Sequence, residues 1–309
     1  MAGRRRAAGQ ASARAAMSAR AAASLLDGLS GTQLTNRFSP ALEIVERSDT
    51  GLVRGQNEDS VLADARHGLA ILADGMGGYN AGEVASRMAT TLLAKGLNAA
   101  FASTPAHRIE SSTGQPFGVR CLIEQIEAVN SAIYRAAEDE ERFGGMGTTL
   151  VASVFCDDQV IVAHVGDSRL YRLRGDEFVA LTRDHSLLQE QIDSGLITPE
   201  EARFSMNRNL VTRAVGVDAE VDVEIHLHQV RPGDLYLLCS DGLYDMVEEA
   251  DIRQVLLTLG DNLEVLANHL VQMANDNGGE DNVSVVLIRV LREFPAAAGG
   301  WSRFWSWHV

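Results

Sequence analysis

The sequence predicts an α+β fold built on antiparallel sheets. Three observations lead there. Strand-like apolar runs follow one another with hairpin spacing; helices are inserted in blocks instead of after every strand; and VDVEIHL (221–227) alternates apolar and polar residues as a half-exposed antiparallel strand does. No linker-like break interrupts residues 41–293, so this part reads as one domain. It is preceded by a disordered Arg/Ala-rich extension over 1–40 and followed by a Trp-rich tail over 294–309.

Each element has its own signal. The extension holds six arginines and a single acid, Asp27. Its composition fits a flexible tail or a true start at Met17, both favoured over an organellar transit peptide. SVLADARHGLAILAD (60–74) predicts a hairpin around a His-Gly turn. A helix begins near Gly82, with Val84, Met88 and Leu92 on one face, and a second covers about 119–141, with Leu122, Ile126, Val129 and Ile133 inward. TTLVASVF, VIVAHVGD, RLYRL and FVALT predict a β-meander with turns at CDDQ and RGDE. Residues 183–205 are polar and helix-prone. In VDVEIHL, Val221, Val223, Ile225 and Leu227 are expected inward, and Asp222, Glu224 and His226 outward. DLYLLCSD is a short buried strand, a helix at about 262–275 presents Leu263, Leu266, Leu270 and Met273, and NVSVVLIRVL closes the domain as a strand. In the tail, Trp301, Phe304, Trp305 and Trp307 either anchor a partner or membrane interface or dock back on the domain.

Charge and composition exclude several classes of function. The 309 residues carry 42 acids against 27 Lys and Arg, a net charge of -15. That argues against a nucleic-acid binder, which needs cations to displace counterions from phosphates. Cys121, Cys156 and Cys239 are far apart and show no CxxC spacing, so they form neither a disulfide framework nor a zinc site and fit a reducing compartment. No apolar run approaches the roughly 20 residues of a membrane helix.

The chemistry is carried by acids at strand boundaries. LAILADG delivers Asp74, VIVAHVGDS delivers Asp167, LYLLCSDG delivers Asp241, and GGEDNVSVV places Asp281 before the last strand; RGQNEDSV adds Glu58 and Asp59 at the start of the hairpin. Strand ends of stacked sheets cluster, so these acids are expected to converge. Converging, partly buried carboxylates repel one another and need neutralising. No lysine run or histidine accompanies them, and an all-oxygen set selects hard divalent ions, Mg²⁺ or Mn²⁺. More than three acids implies at least two ions. Gly75 would let the chain bend sharply there and bring a bare carbonyl to an ion. Any one of these sites alone is ordinary turn chemistry; five together are not.

Taken in order, VRGQNEDS, LADGMGGYNAGE, MGTTLV, AHVGDSRLYRL, LTRDHSL, RNLVTRAVG, LCSDGLYD and GGEDNVSVV resemble the bacterial type-2C, or PPM-family, metal-dependent Ser/Thr protein phosphatases, over about residues 45–290. The resemblance implies a β-sandwich of two antiparallel sheets flanked by helix pairs. It implies that Asp74 bridges two Mn²⁺ or Mg²⁺ ions, with the Gly75 carbonyl on one of them, Glu58 or its hydrated shell completing that ion and Asp59 supporting it. Asp241 and Asp281 would hold the other ion, Asp167 with Asp241 a third, and Arg54 the phosphoryl group. The substrates implied are phosphorylated Ser/Thr proteins, those of a cognate Ser/Thr kinase, met by a cytoplasmic monomer. Three positions depart from the pattern. Met76 stands where some relatives carry a histidine as general acid, Thr50 replaces an arginine, and RFSMNRN (203–209) lacks a His-Pro before its RN pair. The alternative is a catalytically silent phosphoprotein-binding module of the same fold. It is disfavoured because every expected carboxylate is present. A two-metal nuclease is disfavoured by the net charge.

Overall fold

Strands whose two faces are both apolar need cover on both sides, and the chain provides it with four layers: helices, sheet, sheet, helices. The computed structural model describes residues 41–294 apart from Tyr79, 203–204 and 206–209. The N-terminal extension, the three tryptophans and most of RFSMNRN lie outside the described residues.

The six-stranded sheet runs in the order β2 (Asp59–Asp64), β3 (Leu69–Met76), β5 (Leu150–Cys156), β6 (Gln159–Val165) and β9 (Glu224–Gln229), with the two-residue β4 (Gly147–Thr148) pairing with the end of β3. The five-stranded sheet runs β1 (Leu42–Asp49), β11 (Val283–Val290), β10 (Leu235–Cys239), β7 (Arg169–Arg174) and β8 (Glu177–Ala180). All named pairings are antiparallel. The expected hairpin is β2–β3, turning at Gly68 (φ +66°).

The period of two sorts side chains between layers. In β10, Tyr236 and Leu238 meet the facing sheet beside Phe155, Leu72 and Ile288, whereas Leu235, Leu237 and Cys239 point to the helices on the other side. Those helices are α6 (Glu249–Leu259) and α7 (Leu263–Asp276); α7 buries Leu263, Leu266 and Leu270, as expected, and Met273 is partly buried against them. Neither β1 nor α6 is predicted by the sequence reading. Over the six-stranded sheet lie α1 (Ala81–Ser103) and α2 (Phe117–Asp139), and α2 buries the four residues expected of it. In α1 the fully buried stripe is Ala85, Ala89, Leu93 and Leu97, and Val84, Met88 and Leu92 flank it, partly buried. Small alanines let the helix axis approach the sheet, so the larger residues one position away are not the ones enclosed. All three cysteines are free and buried.

The expected meander is two hairpins in two different sheets. β5–β6 belong to the six-stranded sheet and β7–β8 to the five-stranded one, so the chain changes sheets at Gly166–Asp167–Ser168. Gly166 has φ +100°, and a Cβ there would meet Thr149 Cβ at 2.8 Å, so a glycine is required at the crossing. The crossing delivers Asp167 to the end of the sandwich where Asp74, Asp241 and Asp281 also emerge. The 183–205 segment forms two short helices, α3 (Leu187–Asp193) and α4 (Pro199–Ala202), and α5 (Asp241–Tyr244) is one turn that starts at Asp241. No described helix is long and apolar enough to cross a membrane.

Candidate active site

Asp59, the first residue of β2, is paired in register with Asp74 of β3. Like charges directly opposite each other destabilise a strand pair. Asp59 is only 8% exposed and points toward the other sheet, where its Oδ2 accepts from Ser240 Oγ at 2.8 Å. Ser240 closes β10 and immediately precedes Asp241. One hydrogen bond therefore ties the acid pair of one sheet to the acid of the other.

Backbone and side-chain hydrogen bonds fix the remaining members. Asn282 donates to Thr50 O and Gln56 O, both at 2.8 Å, and its Oδ1 accepts from Glu58 N at 2.8 Å. The whole loop from Thr50 to Glu58 is thereby anchored beside Asp281. Thr148 Oγ1 donates to Asp74 O at 2.8 Å, and Asp74 N donates to Thr149 Oγ1 at 3.0 Å. Thr149 Oγ1 also meets Ser168 Oγ at 2.7 Å, which joins the Asp74 and Asp167 strands. Tyr244 donates to Asp167 O at 3.0 Å, and its ring carries the Arg169 guanidinium 3.7 Å above it; Arg169 in turn forks onto Asp184 at 2.7 and 2.9 Å.

Two site residues behave differently from expectation. Asp74 and Gly75 do not end β3, which continues to Met76, with Gly75 paired to Thr148. The sharp bend comes later, at Gly77 (φ +154°) and Asn80 (φ +68°). Gly75 is needed for close approach instead: a Cβ would stand 2.1 Å from Gly82 O and 2.6 Å from Glu58 O. The Glu58 carboxylate faces the backbone of Gly82 and Glu83, in the first turn of α1. Loss of water raises its pKa; Arg54 acts in the opposite direction, as do that backbone and the helix dipole, which favours an anion there.

The electrostatics are those of crowded acids lacking cations. Burial, reinforced in order by Asp59, Asp241, Asp167 and Asp281, holds the Asp74 carboxyl well above the usual range. Burial does the same to Asp241, followed by Asp167, Asp281 and Asp245. Burial lifts Asp59 to about 7 in spite of the hydrogen bond from Ser240, and lifts Asp167, with Asp184 nearby, to about 7. Asp74 thus lies within electrostatic reach of Asp59, Asp167, Asp241 and Asp281. Arg54 is half-exposed at its rim, with Nη2 2.5 Å from Asp281 Oδ2. Partial burial works against its charge, but Asp281, Asp241 and Asp74 hold the guanidinium above its ordinary range.

Do these residues fit divalent ions? Asp59 Oδ1 and Asp241 Oδ1 are buried without a hydrogen-bond partner. A buried carboxylate oxygen with no donor is costly, and two of them among raised acids are what an all-oxygen site for a hard cation leaves when the cation is removed. Sequence reading missed the residues that hold these acids in place: Ser240, Asn282, Thr148 and Thr149. Their only signal is adjacency, since each is the immediate neighbour of an acid or of its backbone partner. It also missed a second cluster. His226 is exposed as expected, but Glu224 is partly buried and bonds His185 and His226, and Leu227, expected inward, is exposed.

Known proteins resemble this chain in sequence and fold. The family model for protein phosphatase 2C matches residues 53–280. A serine/threonine phosphatase, stp, of Listeria innocua is 40% identical over 245 residues, covering 78% of this chain and 93% of that protein. The serine/threonine protein phosphatase PstP of Mycobacterium tuberculosis is 40% identical over 255 residues, covering 82% of this chain; the chain spans about half, 46%, of that longer protein. A crystal structure of the PstP catalytic domain in complex with two manganese ions superposes with a TM-score of 0.70 at 39% identity, over 81% of this chain and 99% of that one. With the acids gathered at one end of the sandwich, these likenesses identify the chain as a bacterial member of the protein phosphatase 2C family, a metal-dependent Ser/Thr protein phosphatase.

Proposed function

We propose that the site hydrolyses phosphoserine and phosphothreonine esters with a metal-activated water at a binuclear Mn²⁺ or Mg²⁺ centre. The observation that supports this reading best is the pair of orphaned, buried carboxylate oxygens on Asp59 and Asp241. Asp74, Asp241 and Asp281 would hold the two ions with the Gly75 carbonyl, and Glu58 through its hydrated shell. Asp59, opposite Asp74 in the strand pair and with a buried oxygen of its own lacking a partner, would support the ion beside it, and Asp167 with Asp241 would hold a third ion. Bound ions supply Lewis-acid activation of water and neutralise the phosphoryl oxygens.

The chain's own residues do the rest. Arg54, on a loop anchored by Asn282, is placed to orient the phosphoryl group through its planar fork. Its present partner is Asp281. An ion on Asp281 would release the guanidinium for substrate, which couples metal loading to phosphate binding. Met76, in β3, carries no titratable proton, so the leaving oxygen would take its proton from water at the site or from another group. The substrates would be phosphoproteins opposed to a cognate Ser/Thr kinase, met by a cytoplasmic monomer. The Arg/Ala-rich extension and Trp-rich tail are read as appendages outside the catalytic domain.

The test is turnover of a phosphothreonine peptide with Mn²⁺, with Mg²⁺ and with chelator, beside Asp241→Asn. Turnover that needs the ion and is lost in the variant is the expected outcome. An inactive wild type that still binds the phosphopeptide would make the domain a silent binding module.

A further inference from the structure

At the edge of the six-stranded sheet, His164 of β6 stands opposite Glu224 of β9 in register. The His164 ring, fully buried, stacks on His185 at 4.7 Å between centroids. His185 is 6% exposed, and both of its nitrogens are engaged: Nδ1 lies 3.1 Å from the Gly166 amide and Nε2 3.1 Å from Glu224 Oε2. A backbone N–H can only donate, so Nδ1 must be the acceptor and the ring proton sits on Nε2, directed at the carboxylate. Arg213 Nη1 is farther, at 3.5 Å, and is committed to Asp222 at 2.9 Å. His226 binds the other Glu224 oxygen at 2.6 Å. Donor atoms of His164, His185 and Glu224 lie within 4.8 Å of one another, close enough to suggest an ion. Ligation through His185 Nε2 would move the ring proton to Nδ1, against the Gly166 N–H. The cluster is therefore a hydrogen-bonded tie.

What it ties is specific. His185 also donates its own backbone N–H to Gly166 O at 3.0 Å, so Gly166 is gripped twice, one residue before Asp167. The His185 carbonyl accepts from Thr212 N at 2.8 Å, and three residues on, Val215 exchanges two backbone hydrogen bonds with Thr148, at 2.8 and 3.0 Å. Thr148 is the residue whose hydroxyl holds Asp74 O. A path of hydrogen bonds, joined by the backbone of residues 212–215, thus runs from the Asp167 turn through His185 to the Asp74 strand. We propose that His185, with its tautomer fixed by Glu224, is a positioning residue that sets the Asp167 turn relative to Asp74 and so governs the affinity of the ion held by Asp167. The proposal rests on the reading of Asp167 as a metal ligand.

Two amide substitutions separate the roles of the two ring nitrogens. Asn at 185 offers an oxygen near the position of Nδ1 and keeps the acceptor for Gly166; Gln reaches toward Glu224 and loses that acceptor. Mn²⁺ binding to the full chain is followed by calorimetry, and exchange of the Gly166 amide by NMR in the metal-free protein. Wild type is expected to bind one more ion than Asp167→Asn. His185→Gln should weaken that last ion about tenfold or more and speed Gly166 exchange, while His185→Asn stays within about threefold of wild type on both. Glu224→Gln should fall between them. Where Asp167→Asn does remove an ion, equal Mn²⁺ isotherms for wild type, His185→Gln and His185→Asn would overturn the role of His185 in ion affinity, and equal Gly166 exchange would overturn the tie. So would a Zn²⁺ ion taken up in excess Mg²⁺ and lost in His164→Ala, which would make the cluster an ion site. If Asp167→Asn leaves the stoichiometry unchanged, the ligand reading of Asp167 fails, and with it the role in ion affinity, whereas Gly166 exchange still reports on the tie by itself.

Discussion

Two groups of ionisable side chains, joined along the chain where His164 precedes Asp167, have opposite electrostatics. At the end of the sandwich, Asp59, Asp74, Asp167 and Asp241 crowd one another, two of their oxygens lack partners, and their carboxyls are pushed upward. At the β6–β9 edge, burial also acts upward on Glu224, but hydrogen bonds from His226 and His185 carry it down to about 2. Burial is shared; partners are not. A carboxylate whose partners are all in the chain is structural, and one whose partners are missing points to something that arrives from outside.

The sharpest way to break this contrast is to neutralise one member of the partnerless set. Asp74→Asn is expected to lower Mn²⁺-dependent turnover of a phosphothreonine peptide by at least about a hundredfold. It should also raise the melting temperature in chelator, because a repulsive charge is gone. Calorimetric melts of both proteins with and without Mn²⁺ check the second half. A lower melting temperature in chelator would mean that the charge was already compensated.

Next is packing beside the same acids. Gly75→Ala puts a Cβ 2.1 Å from Gly82 O and should cost roughly 1–3 kcal/mol. Gly55→Ala, with nothing within 4 Å, should cost almost nothing by that route. Denaturant midpoints of the pair measure the difference.

A third test uses pH. Asp59 and Asp167 have folded-state pKa values of about 7, above the ordinary 3.8, so the metal-free native state binds more protons than the unfolded chain between those limits. Their contribution is favourable at low pH and is lost as pH rises through about 7. In chelator, the melting temperature should fall between pH 5 and pH 8 as these acids ionise, and saturating Mn²⁺ should remove most of that slope.

The smallest effect belongs to Glu224, which has the opposite sign. Its depressed pKa stabilises the fold above the unfolded value of 4.5, and this is lost as pH falls toward about 2. Glu224→Gln should therefore cost on the order of 1 kcal/mol at pH 7, discounted for partial exposure, and progressively less in acid.

Much of this was legible in the residues. Alternating apolar runs gave the hairpin at 60–74, α2 and α7 with their buried stripes, and the acids at strand boundaries, because each of those signals is local. What was not legible depends on which sheet a strand joins. RLYRL follows VIVAHVGD at hairpin spacing, and only its pairing with β10, where Leu170 sits opposite Leu238 in the core between the sheets, sends it to the other sheet. Glu224 reads as solvent-facing by alternation, but β9 is an edge strand on which it meets His164 and His185, far away in sequence. Asn282 and Ser240 carry no motif of their own. Their importance appears only once the loops they hold are in place.

The most direct test of the central claim is Mn²⁺ titrated into the chelator-treated protein near pH 7, repeated in two buffers of different protonation enthalpy, with Asp74→Asn alongside. Binding of at least two ions with net proton release, both diminished in the variant, is the predicted result. Binding without proton release, or unchanged in Asp74→Asn, would contradict the view that these raised, partnerless acids are the metal site.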